Sequence, residues 1–140
     1  MLAIRQFADK GRGIYAKKRI RAGQVIERCP VIPLSPAEGE RIEPTILDMY
    51  CFCWGDEDSS EVAIVLGYGS IYNHSYQPNA DFHPVEEERR MDFVALRDIA
   101  PGEEITINYN GSPEDQSPIW FGQGGWGWYP KQMTSAPKAA

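Results

Sequence analysis

Between Gly67 and Ala80 the chain reads Gly-Tyr-Gly-Ser-Ile-Tyr-Asn-His-Ser-Tyr-Gln-Pro-Asn-Ala. Asn73, His74, Ser75 and Asn79 can each donate and accept hydrogen bonds in several directions, and Pro78 fixes the backbone among them. Such a loop suits the holding of a polar ligand; the plain alternative is a loop whose polar groups satisfy one another. Residues 102–109, Gly-Glu-Glu-Ile-Thr-Ile-Asn-Tyr, form an alternating strand that ends in Tyr109. A tyrosine so placed either packs with a tethered hydroxyl or presents its phenol to a reacting group. Near the start, Gly11-Arg12-Gly13 would let backbone approach a ligand closely. It lacks the third glycine, preceding strand and long following helix of a dinucleotide site.

The elements that must position these residues are short. Residues 13–17 read as a strand, and residues 20–26 continue it beyond a turn at Gly23. Residues 93–105 repeat that layout. With Ala16 laid on Ala95, Ile20 falls on Ile99, Gly23 on Gly102 and Ile26 on Ile105, without a gap. Two copies of one strand-turn-strand unit, each read as a hairpin, are expected to pack their apolar faces together. Between them, residues 36–49 have a loose helical spacing interrupted by Pro44, and residues 51–54 and 62–66 read as strands around an acidic loop at 56–58. Many short strands with little helix predict a β-dominated domain.

Taken in order, Gly11-Arg12-Gly13, Asn73-His74-Ser75 with Pro78-Asn79, and residues 102–106 with Tyr109 resemble the signature of SET-domain protein lysine methyltransferases. The resemblance covers about residues 2–112, and its N-H-S-x-x-P-N segment is its most specific part. It implies a mainly β fold, a β-clip of several small sheets with a pseudoknot, and a SET domain over residues 1–112. It also implies transfer of a methyl group from S-adenosylmethionine to a lysine amine, leaving S-adenosylhomocysteine. By the same resemblance Gly11, Arg12, Gly13 and Asn73 would hold the methionine end of that cofactor, and His74 would meet its adenine through the backbone. Tyr109 would be the catalytic tyrosine, close to both cofactor and target nitrogen.

A lysine channel needs aromatic walls, which attract a cation and exclude water. Tyr68, Tyr72, Trp120 and Trp126 are the candidates. Residues 113–131 are expected to fold over the active site, and residues 132–140 read as a disordered tail. Two departures from the family stand out. Asn108 takes the place of an aspartate common in the family before the tyrosine, and the cysteine-rich terminal zinc segment of many members is missing, so other residues or a second subunit must close the channel.

Composition bounds these readings. The chain has 140 residues, about one domain, with 42% apolar residues. Fourteen Lys and Arg against twenty Asp and Glu give a net charge of −6, which disfavours direct nucleic-acid binding and suits a Lys-rich protein or peptide. Cys29, Cys51 and Cys53 are too few for a four-ligand zinc site and read as reduced thiols, with no metal expected. No apolar run is long enough to span a membrane, and the N-terminus lacks a secretory signal. The expected setting is cytoplasmic, or nuclear in a eukaryote. Two rivals stay open: a catalytically silent SET-like module, and a β-clip binding module that would account for the repeat but not for the Asn73-His74 loop.

Overall fold

In the computed structural model, residues 1–7, 11–56 and 58–119 are described. Strands β1 (Leu2–Phe7), β2 (Gly11–Ala16), β6 (Asn73–His74) and β9 (Glu104–Ile107) form one sheet in the order β1-β2-β9-β6. Strands β3 (Val25–Leu34), β4 (Cys51–Trp54), β5 (Glu61–Val65), β7 (Ala80–Val85) and β8 (Arg90–Ala95) form a second, in the order β4-β5-β3-β8-β7. The fold is mainly β, built from small curled sheets.

The repeat is present, but neither copy is a hairpin. β2 and β3 lie in different sheets, as do β8 and β9; each leg pairs with the other copy, β2 with β9 and β3 with β8. The pairing is reciprocal across the 79-residue offset. Ala16 N–H donates to the Glu103 carbonyl (3.0 Å), and Ala95 N–H to that of Gln24 (2.9 Å). Gly23 N–H donates to Ala95 (2.8 Å), Gly102 N–H to Ala16 (2.7 Å), and Ile20 and Ile99 exchange both their bonds. Even the turn side chains correspond: Gln24 Oε1 accepts from Arg21 N–H and Glu103 Oε1 from Ala100 N–H. Gly23 and Gly102 have φ of +83° and +85° in open surroundings, so backbone conformation, not crowding, requires glycine there. Local turn chemistry was legible; the partner of each leg was not, because backbone donors pair equally well within a unit or between two.

Alternation then decides what is buried. In β8, Met91, Phe93 and Ala95 point inward, and they meet Ile14, Ile20, Ile26, Ile99, Ile105 and Ile107, all buried. Each isoleucine removed from water stabilises by about 1.5–3 kcal/mol, so the two copies form the centre of the core. Helix α1 (Pro36–Ile42) is started by Ser35, whose hydroxyl accepts from Glu38 N–H while the Glu38 side chain accepts from Ser35 N–H. It stops before Pro44, and a 3₁₀ turn at Ile46–Met49 follows. No helix among the described residues is long and apolar enough to cross a membrane.

Candidate active site

The two-residue strand β6 lies parallel to β9, with Asn73 opposite Thr106 and His74 opposite Ile107. Sequence-distant groups meet at that crossing. Asn73, buried, donates through Nδ2 to the Arg12 carbonyl (3.1 Å) and to Glu104 Oε2 (2.7 Å). The Asn73-His74 strand and the Gly11-Arg12-Gly13 strand therefore share one corner. Asn79 locks the loop: its Oδ1 accepts from Thr106 N–H (2.9 Å), and its Nδ2 donates to the Glu104 carbonyl (2.8 Å).

His74 is turned inward. Its Nδ1 accepts the Tyr109 N–H at 3.0 Å, which puts the proton of the neutral ring on Nε2. Burial pushes its pKa down to about 4. Its ring meets that of Tyr76 edge-on at 4.5 Å and lies 5.3 Å from that of Tyr109. Tyr109 is thus held at its backbone by His74 and at its phenol by the Tyr72 carbonyl, to which Oη donates at 2.5 Å.

Asn108 ties down the chain that follows it. Buried at 2% exposure, it donates through Nδ2 to the carbonyls of Asp115 (2.7 Å) and Pro113 (3.4 Å), while Oδ1 accepts from Asn110 N–H (3.0 Å). An aspartate cannot make those donations. They turn the chain after β9 back over the site, where Tyr76 Oη donates to the Ser117 carbonyl (3.0 Å) and the Gln116 side chain to the Tyr76 carbonyl (3.3 Å).

Tyr109 opens on a cavity of about 510 Å³ whose wall includes Asp48, Phe52, Tyr72, Phe82 and Ile119. Of the aromatic residues expected at a channel, Tyr72 lines it, though with its hydroxyl bonded to Glu27. Tyr68 packs against the core and is not among the described lining residues. Trp120 and Trp126 lie outside the described residues, as does the tail at 132–140. Phe52 and Phe82, edge-to-face at 5.2 Å, are wall residues that sequence reading missed. Phe52 stands in the run read as a strand at 51–54, but Cys-Phe-Cys-Trp has no polar alternation to show which side chains face a cavity.

The corner at Asn73 fits the amino-acid end of S-adenosylmethionine. Both Asn73 N–H groups are committed to Arg12 and Glu104, leaving Oδ1 as its acceptor, and the Glu104 carboxylate adds negative charge. An acceptor beside a carboxylate suits an ammonium group. Among the described residues no cluster of three or more His, Cys, Asp and Glu could hold a metal ion.

Residues 11–110 match the SET domain family. The chain belongs to that family. The SET domain is 33% identical over 121 residues to a Schizosaccharomyces pombe histone-lysine N-methyltransferase specific for H3 lysine-37, covering 86% of this chain and 76% of the relative. It is 30% identical to human histone-lysine N-methyltransferase 2B over 83% of this chain, spanning only 4% of that much longer protein. A crystal structure of a candidate histone methyltransferase from Plasmodium falciparum superposes with a TM-score of 0.63 at 27% identity, over 80% of this chain and 99% of its own.

Proposed function

We propose that this SET domain, a protein-lysine N-methyltransferase by family, transfers a methyl group from S-adenosylmethionine to the lysine amine of a basic, histone-like tail. The observation that carries the reading is that Tyr109 Oη meets the Tyr72 carbonyl at the wall of one cavity, while Asn73, the residue after Tyr72, bonds the Arg12 carbonyl. S-adenosylmethionine supplies, when bound, a methyl group on a sulfonium. In this reading the backbone of Gly11, Arg12 and Gly13 and the side chain of Asn73 hold its methionine end, and the His74 backbone meets its adenine.

Tyr109 orients the acceptor amine. The neighbouring Phe52 and Phe82 strip water from the lysine, whose pKa in water of about 10.4 must fall for the free amine to attack. Aligning two reactants in this way is worth about 7–11 kcal/mol of the barrier. His74 is not the base in this scheme, because its Nδ1 is committed to the Tyr109 N–H. The net charge of −6 favours a Lys-rich partner. Pro118 and buried Ile119 lie at the cavity wall, which supports the reading that the described stretch after β9 helps to close it.

Calorimetric titration with S-adenosylmethionine and S-adenosylhomocysteine, followed by transfer of labelled methyl to core histones, tests the proposal. Saturable binding that weakens in Asn73→Ala, with transfer lost in Tyr109→Phe, is the expected result. Absence of both heat and transfer overturns it in favour of a binding module.

A further inference from the structure

One carboxylate beside the site has no part in the reading above. Glu27 stands on β3 where pairing with β8 slips by one residue, Val25 facing Val94 but Glu27 facing Phe93. A bulge of this kind turns two successive side chains to the same side. Ile26 is buried, and Glu27 reaches the interior beside it. Gly67 makes room: with φ of +65°, it lies where a Cβ would fall 2.5 Å from Glu27 Oε2. Both carboxylate oxygens are directed. Oε1 accepts from Tyr72 Oη at 2.7 Å, and Oε2 from Tyr68 N–H at 3.0 Å. Tyr72 is 1% exposed and its ring is 4.7 Å from that of Phe93. Its phenol is bound by Glu27 while its carbonyl receives the Tyr109 hydroxyl.

We propose that Glu27 is a positioning residue for the tyrosine of methyl transfer, acting through Tyr72: the carboxylate anchors the Tyr72 side chain and so fixes the carbonyl that aims Tyr109 Oη. The inference rests on the reading of Tyr109 as the catalytic tyrosine. A hydrogen bond to an ionised carboxylate is about twice as strong as a neutral one, so it is a firmer anchor than packing against Phe93 alone. Burial and the adjacent carboxylate raise the Tyr72 pKa, so its phenol stays a donor. The Cys29 thiol, pushed up to about 12 by burial and by Glu27, also stays neutral and adds no second charge.

The test compares wild type, Tyr72→Phe, Glu27→Gln and the double variant in methyl transfer to core histones. In parallel, the Tyr109 ring is observed by NMR in protein labelled with ¹³C at the phenol carbon. Tyr72→Phe should lower kcat about tenfold and leave KM for S-adenosylmethionine within about twofold, since misplacement by about 1 Å suffices for large losses. Glu27→Gln, which keeps an acceptor for Tyr72, should lose less, and the double variant no more than Tyr72→Phe alone. The Tyr109 resonance should move in Tyr72→Phe. A wild-type kcat in Tyr72→Phe overturns the proposal, as does a reduced kcat with an unmoved resonance, which would be loss of packing. If the wild type transfers no methyl group, the functional reading fails by itself. The resonance then still decides: unmoved in Tyr72→Phe, it overturns the anchoring by Glu27. Should Glu27→Gln fail to fold, Tyr72→Phe carries the comparison.

Discussion

His74 links the stability of this protein to pH through the backbone of Tyr109. His74 is 8% exposed, and its Nδ1 receives the Tyr109 N–H, so the folded state favours the neutral ring. An unfolded histidine titrates near 6.5, and burial brings His74 down to about 4. Because the folded value is depressed, stability is complete above pH 6.5, declines as pH falls from 6.5 to 4, and is lost in full below 4. That interval corresponds to about 3 kcal/mol, of which about 2.5 kcal/mol is gone by pH 4.5.

Protonation of Nδ1 would also set a donor against the Tyr109 N–H, so the loss should appear as movement of Tyr109. In His74→Asn the Oδ1 takes the place of Nδ1 and cannot be protonated in this range. Urea unfolding of both proteins at pH 7 and 4.5 should show wild type losing about 2.5 kcal/mol more than the variant. Carboxylates held low by their partners, such as Glu103, are common to both and cancel. The other histidine, His83, is present in both proteins, so its contribution cancels as well. Equal losses in the two proteins, or a His74 resonance that titrates near 6.5, would refute the reasoning.

Tyr109→Phe should reduce turnover by about 10²-fold or more while cofactor affinity stays nearly unchanged, as single-turnover kinetics and calorimetry can separate. Asn73→Ala removes the amide that donates to the Arg12 carbonyl and to Glu104 and should weaken S-adenosylmethionine binding by about 1–3 kcal/mol; unchanged affinity would move the cofactor site elsewhere. Asn108→Asp restores the residue common in the family, yet should destabilise by about 1–3 kcal/mol, because a carboxylate would face the Asp115 and Pro113 carbonyls. A denaturation midpoint equal to wild type would contradict that. Gly102→Ala forces a side chain into φ of +85° and should lower stability by about 1 kcal/mol, as Gly23→Ala should in the matching turn.

Family and class were legible in the residues alone: the family through the spacing of Asn73-His74-Ser75 and Pro78-Asn79 against Tyr109, and the β-dominated class through short alternating runs closed by Gly23 and Gly102. So was the repeat, since apolar period and turn glycine are local properties that survive in a string of letters. The sequence did not show β1 or β7. Nor did it reveal that the legs of each copy pair with the other copy, because any strand offers the same backbone donors to whichever partner the rest of the chain brings near. Glu27 was invisible for the same reason. In the sequence it is one acidic residue among twenty. A one-residue slip between β3 and β8 and the bare Cα of Gly67 turn it toward Tyr72. The partners of Asn108 were hidden too, until the returning chain supplied the Asp115 and Pro113 carbonyls for its amide. Residue types fix which bonds can be made; which partners arrive depends on how the distant parts of the chain fold together.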